Sequence, residues 1–166
     1  MDSLLARALL RNGLLLILPP MTITFGLWAA LPPSYAMDRF WKEIPPWLAL
    51  PENILRILVF ALPAFLYFGR KEKKQALGWF LYPAGLLIYL ASYLAQIFFA
   101  DSAWSRSAIG FTAPAWSTSI WFGGIGLVCK DTWLPLAWNR AVYLICCGLF
   151  LIFHIAHTAL VFTRLS

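Results

Sequence analysis

Two pairs of ionisable side chains lie inside apolar stretches of this 166-residue chain. Glu52 and Arg56 are four residues apart, in the order that favours an ion pair on one helix face. His154 and His157 are three residues apart and also share a helix face. A carboxylate, a guanidinium and two imidazoles can bind an anion, transfer protons or hold a metal ion. Which role applies depends on the environment and on the elements that carry the two pairs.

The composition indicates that this environment is a membrane. The chain is 61% hydrophobic and 12% charged, whereas soluble proteins average about 45–50% apolar and 25% charged residues. Its apolar stretches reach the length that crosses a bilayer. The net charge of +6 comes from short clusters and not from one basic face, which argues against nucleic acid as a partner. We therefore predict an integral membrane protein of the cell (inner) membrane.

Five apolar stretches predict an all-α fold, a five-transmembrane-helix bundle that forms a single domain over 1–166. The predicted spans are 9–31, 49–69, 75–99, 109–129 and 140–162, with an interfacial loop at 32–48 that carries several aromatic residues. With the N-terminus inside, eight of the 13 Lys and Arg residues lie on the cytoplasmic side. The positive-inside rule thus favours an N-terminus inside and a C-terminus outside. A cleaved secretory signal is the alternative for the first stretch, although no Ala-x-Ala site follows it.

Two of these stretches contain residues that constrain helix geometry. Pro19 and Pro20 lack backbone donors and predict a kink in the first helix, compensated by Thr22 or Thr24. The fourth stretch carries a string of small residues: Ser117, Ser119, Gly123, Gly124 and Gly126. Small residues let membrane helices approach closely, so this string predicts tight helix packing.

Depth in the bundle predicts that the two ionisable pairs meet. The fifth stretch rises from Arg140 to Arg164, so His157 lies about 7–8 Å above its midpoint at about 1.5 Å per residue. Arg56 lies at a similar level in the outer half, and ionisable side chains in a span usually face the bundle interior. We therefore hypothesise a polar ligand pocket there, lined by Glu52, Asn53, Arg56, Trp104, Ser105, His154 and His157. Its most specific consequence is a contact between Glu52 or Arg56 and the two histidines.

The residues give little support for a metal or haem site. A metal site needs three or four ligands, and Cys147 lies about 10 Å below His154 along the helix, so Glu52 would have to complete it. Cys129 and Cys146 add no CxxC or zinc-type spacing. Both histidines lie on one helix, which excludes a bis-histidine haem within one chain. We therefore expect no metal and no cofactor.

Catalytic and transport roles lack a defining motif. Ser105 or Ser107 with His157 and Glu52 would supply a nucleophile, a base and an acid, but no motif fixes their spacing. Glu52 and His157 would also suit a proton relay. Five helices without an inverted repeat leave little room for alternating access, however.

The function that fits these residues best is binding or sensing of a lipid or another amphipathic small molecule. Arg56 and Asn53 suit an anionic head group, and the many aromatic residues suit an apolar body. Two alternatives stay open: an integral membrane enzyme with His157 as general base, and a structural subunit whose polar groups only link helices. The expected partners are membrane lipids and an amphipathic ligand. A homo-oligomer and a larger membrane complex both remain open.

Overall fold

A computed structural model of the protein describes residues 10–68, 73–132 and 139–165. Its α-helices are α1 (Leu18–Leu27), α2 (Met37–Phe40), α3 (Pro46–Ala61), α4 (Lys73–Phe98), α5 (Ala108–Phe111), α6 (Ala113–Trp116), α7 (Thr118–Val128) and α8 (Asn139–Leu165). Short 3-10 helices lie at Gly13–Leu16, Trp28–Ala30, Pro33–Tyr35 and Leu62–Phe65. The strands β1 (Leu66–Phe68) and β2 (Cys129–Thr132) pair antiparallel. Several basic residues that enter the orientation argument, among them Arg7, Arg70 and Lys71, lie outside the described residues.

Four helical segments in the described part of the chain are long and apolar enough to cross a membrane. They are Gly13–Ala30, Pro46–Phe65, Lys73–Phe98 and Arg140–Leu165. Large apolar side chains on their surfaces are exposed, with Phe25 75%, Ile57 69% and Phe80 67% accessible. Such surfaces belong in contact with lipid. The prediction of a helical membrane bundle is confirmed at this level.

The predicted fourth span, 109–129, is wrong as a single helix, because α5, α6 and α7 follow one another as three short helices. Pro114 has no N–H to donate to the carbonyl of Gly110, four residues earlier, so one helical hydrogen bond is missing at this break. The Gly110 carbonyl accepts instead from Nε2 of Gln96 in α4, at 2.8 Å. A side chain of the neighbouring helix thus compensates for the break.

Prolines also set two helix starts that differ from the prediction. Pro19 and Pro20 occupy the first turn of α1, where backbone N–H groups have no intrahelical partner, so they remove no hydrogen bond from this helix. α3 starts at Pro46, three residues before the predicted boundary. Its span ends in the 3-10 turn Leu62–Phe65 and then β1, and not in helix up to residue 69.

α4 and α7 pack antiparallel with their backbones in close contact. A Cβ on Gly85 of α4 would lie 2.5 Å from the backbone nitrogen of Trp121, and a Cβ on Gly124 of α7 would lie 2.7 Å from Cα of Tyr82. Gly123, by contrast, has no such neighbour within 4 Å. The small residues of the fourth stretch therefore allow the close packing that the sequence predicts.

The two ends of the bundle are each tied by main-chain contacts. At one end β1 pairs with β2, and Asn12 forms a bridge with Tyr67. At the other end Arg164 of α8 donates to the carbonyls of Lys42 and Glu43, at 2.6 and 2.8 Å. The connection between α1 and α3 therefore covers the end of the bundle at which α8 finishes.

Candidate functional site

Glu52 lies at the centre of a buried hydrogen-bonded cluster formed by α3 and α8. Its side chain is 0% exposed. Oε1 accepts a hydrogen bond from Arg56, one turn further along α3, and lies 2.9 Å from Nδ1 of His154. Oε2 lies 2.5 Å from Nδ1 of His157. The contact that the sequence predicts between the two ionisable pairs is present in the structure.

His157, the innermost member of this cluster, has a hydrogen-bond partner at each of its two ring nitrogens. Nε2 is 3.0 Å from the carbonyl oxygen of Phe40, and because a carbonyl only accepts, Nε2 carries a proton. Nδ1 and the Glu52 carboxylate must share a second proton at their distance of 2.5 Å, because two lone pairs would repel each other. The Glu52–His157 pair is therefore neutral as a unit, whichever partner holds that proton. The rings of Phe40 and Trp41 cover the imidazole, with centroids 4.7 and 4.5 Å from it.

The Arg56 guanidinium lies between two aromatic rings. Its Cζ is 5.7 Å from the centroid of Trp41 and 5.6 Å from that of Phe150, distances at which the ring faces attract a cation. The side chain keeps 35% of its surface exposed. Nε is buried and has no hydrogen-bond partner among the described residues. Arg56 thus has donor capacity that Glu52 does not use.

A cavity of about 720 Å³ opens beside the cluster, within the range of about 300–1,000 Å³ typical of small-molecule sites. Its wall is mainly aromatic and apolar, with contributions from Trp28, Tyr35, Phe40, Trp41, Phe60, Trp121, Phe122 and Phe150. Asn53, Arg56 and His154 bring polar groups from the cluster side. Phe25 and Met37, which are 75% and 57% exposed, lie at the rim.

A second polar patch in the wall is a chain of hydroxyl groups. Thr24 Oγ1 donates to the carbonyl of Pro20 at 2.9 Å, so it accepts from Tyr89 at 2.8 Å. The Tyr89 oxygen then accepts from Tyr93 at 3.1 Å. The lone pairs of Tyr93 remain at the end of the chain. Nε1 of Trp121 is buried nearby in the same wall, without a hydrogen-bond partner in the described part of the protein.

The predicted site residues divide into three groups. Glu52, Arg56, His154 and His157 form the cluster, and Asn53 lines the cavity. Trp104 and Ser105 are not part of the cavity wall: Ser105 Oγ donates to the Ala95 carbonyl at 3.2 Å, and Trp104 is 49% exposed. Sequence reasoning placed these last two by their level in the membrane alone, which does not determine the direction of a side chain.

Sequence reasoning missed the tyrosines of α4, and it expected an aromatic wall without identifying the residues that form it. Tyr82, Tyr89, Tyr93 and Gln96 are all buried and lie seven, four and three residues apart. That spacing marks one helix face, so helical periodicity would have identified this face as an inward one. The rings of Trp41 and Phe150 on either side of Arg56 carry no comparable signal, because they come from distant parts of the chain.

The two histidines differ in what they offer to a molecule in the cavity. Nδ1 of His154 contacts Glu52, Nε2 has no hydrogen-bond partner in the described ranges, and the ring lines the cavity. His157 does not line it.

Both rings meet the carboxylate at hydrogen-bond distance, and among the residues described no group of three His, Cys, Asp or Glu side chains is arranged to hold a metal ion.

Comparison with known proteins gives no relative, since no family model, curated protein or solved structure matches the chain. The site itself therefore has to carry any functional assignment. Its elements are an apolar cavity, a partly satisfied guanidinium, an oriented imidazole and a buried carboxylate. Such a set can hold the head group of an amphipathic molecule or move a proton.

Proposed function

We propose that this protein binds a lipid or another amphipathic small molecule in the cavity beside Glu52. The observation that carries this proposal is a cavity of about 720 Å³ with an aromatic wall and the Arg56 guanidinium at one side. Aromatic walls with a few placed polar groups are typical of ligand pockets. Phe25 and Met37 at the rim give a lipid an apolar route into the cavity.

We further propose that 108–128 crosses the membrane as a fifth span. Nε2 of Gln75 donates to the Val128 carbonyl at 3.2 Å, and Nε2 of Gln96 donates to Gly110. These two glutamines are about 30 Å apart along α4, which is about the thickness of the hydrocarbon core. A fifth crossing also agrees with Asn12 and Arg164 lying at opposite ends of the bundle. The excess of Lys and Arg residues on the side of Asn12 favours that end of the bundle as the cytoplasmic one. We propose the cell (inner) membrane as the location.

Binding can be tested by mass spectrometry of the protein purified in a mild detergent. We expect a stoichiometric lipid or amphiphile to remain bound. Ala115 is buried in the cavity wall, so Ala115→Phe should fill part of the cavity and reduce retention. The matched control Ala91→Phe changes an exposed position of α4 and should leave retention unchanged. Absence of any bound or bindable amphiphile in the folded protein would contradict the proposal.

A second candidate is a membrane enzyme, and the orientation of His154 favours it. Glu52 holds the Nδ1–H of His154, and the imidazole lines the cavity, which is the arrangement of an oriented general base. This candidate replaces His157 by His154 as the base. It requires that a labelled form of the retained amphiphile is converted to product over time and that His154→Gln abolishes the conversion. Retention without turnover leaves binding as the function.

A further inference from the structure

We infer that the cavity selects an anionic head group, a carboxylate or a phosphate ester, on an apolar body. This specifies the ligand of the binding function proposed above and rests on that function. Three features of the cluster carry it: its net charge, the unused donors of Arg56 and the aromatic rings that flank the guanidinium.

The net charge of the cluster is positive in every protonation state that its hydrogen bonds allow. Glu52 is the only acidic residue in the four apolar spans, and its pair with His157 is neutral as a unit. Arg56 adds one positive charge, and His154 adds none or one. The cluster therefore carries a charge of at least +1 beside an apolar cavity. An uncompensated charge is costly in such surroundings, and an anionic head group would neutralise it.

The donors of Arg56 are only partly used. One Nη donates to Glu52 Oε1, a carboxylate oxygen that His154 also contacts. Nε has no partner among the residues described here, and the flanking rings of Trp41 and Phe150 offer no acceptor of comparable strength. A guanidinium binds carboxylate and phosphate oxygens in a planar, charge-assisted geometry. His154 Nε2 can accept from the O–H of a singly ionised phosphate ester, and in the protonated imidazole it donates to a carboxylate oxygen.

The same rings argue against a cationic or choline-type head group. Aromatic faces recognise quaternary ammonium groups when they form an empty cage. Here Trp41 and Phe150 already face the Arg56 cation, at 5.7 and 5.6 Å. A second cation at this position would be repelled by the first.

The test compares amphiphiles that share one chain and differ only in head-group charge. The full chain is reconstituted in zwitterionic nanodiscs and titrated with oleate, oleyl alcohol and oleylamine. We expect oleate to bind at least about tenfold more tightly than the alcohol, as hydrogen bonds to charged groups imply, and the amine to bind most weakly. Lysophosphatidic acid distinguishes a phosphate from a carboxylate preference. Acetate and inorganic phosphate should not compete, because the apolar body supplies part of the affinity.

Variants separate the charge argument from a general loss of structure. Arg56→Gln should reduce oleate binding about tenfold or more and leave binding of the alcohol nearly unchanged. Glu52→Gln should tighten oleate binding. This amide can keep the hydrogen bonds to Arg56 and both histidines, removes the shared proton together with the carboxylate, and weakens the competition for Arg56. The matched control Arg106→Gln changes a surface residue paired with Asp101 and should have no effect.

Two outcomes would overturn the inference while leaving the proposed binding function intact: the alcohol binding as tightly as oleate, or Glu52→Gln weakening oleate binding in a folded protein. Failure of all three amphiphiles to bind, together with the absence of any amphiphile retained on purification, would instead overturn the binding function. If Arg56→Gln does not fold, the head-group series and Glu52→Gln still decide.

Discussion

The α3–α8 interface and the α4–α7 interface solve the problem of helix packing in opposite ways. α4 and α7 approach through glycines, with the backbones so close that a Cβ on Gly85 or Gly124 would collide with the neighbouring chain. α3 and α8 meet through a buried carboxylate, two imidazoles and a guanidinium, with a cavity beside them. The α4–α7 interface stabilises the bundle by close backbone packing, and the α3–α8 interface positions polar side chains.

This difference has a physical basis in the membrane. Lipid tails are as apolar as the helices, so close van der Waals contact through small residues is an effective way to hold helices together. Buried ionisable groups contribute less, because desolvation offsets their attraction. The close α4–α7 contact therefore supplies stability on one side of the bundle, while the α3–α8 side keeps polar groups that a structural role alone does not require.

The largest predicted effect is the loss of the carboxylate from the α3–α8 interface. Glu52→Ala leaves Arg56, His154 and His157 without their common partner, and removing one member of a buried ion pair typically costs about 3–5 kcal/mol. We expect the free energy of unfolding in mixed micelles to fall by about that amount. Asp101→Ala, which removes one half of an exposed pair, should cost about 0–1 kcal/mol. Similar losses for both variants would show that the cluster is not a cooperative network.

The second prediction concerns the close-packed interface and uses two adjacent glycines. Gly124→Ala places a Cβ 2.7 Å from Tyr82 Cα, and overpacking of this kind typically costs about 1–3 kcal/mol. Gly123→Ala meets nothing within 4 Å and should be neutral or stabilise the helix by up to about 1 kcal/mol. Unfolding in mixed micelles measures both. Equal effects at the two positions would mean that α4 and α7 are not in backbone contact.

The smallest predicted effect is a pH dependence at the edge of the cavity, outside the spans. The Tyr35 hydroxyl donates to the Phe111 carbonyl at 2.7 Å, and burial, with a further contribution from Tyr93, raises the pKa of this phenol well above its ordinary value. Because the folded state favours the neutral phenol, its contribution is complete below a pH of about 10 and is lost as the pH rises further.

We therefore expect the thermal stability to be insensitive to this group from neutral pH to about pH 9 and to fall above about pH 10. Tyr35→Phe should reduce the slope of that fall, at the expense of one hydrogen bond, or about 1 kcal/mol, at neutral pH. An identical slope in the variant would show that Tyr35 ionises as easily in the folded protein as in the unfolded chain.

Prediction from sequence succeeded where local spacing decides and failed where distant segments decide. The separation of Glu52 from Arg56 and of His154 from His157 predicted shared faces, and helix lengths predicted a common depth at which the two pairs meet. The same depth argument included Trp104 and Ser105, which point elsewhere. The break at Pro114 escaped prediction because proline also lies inside continuous helices of this protein, as Pro51 does in α3 and Pro83 in α4, so the residue type alone does not show where a helix ends.

The sequence by itself determined that the chain is a helical membrane protein and which of its helices carry ionisable groups, because hydropathy, helix length and spacing are local properties. Only the tertiary structure decided that Glu52 contacts both histidines and that His154, but not His157, lines a cavity. It also decided that Arg56 lies between Trp41 and Phe150. These features arise from residues far apart in the chain. Their geometry depends on how whole helices pack, and no periodicity along the chain encodes it.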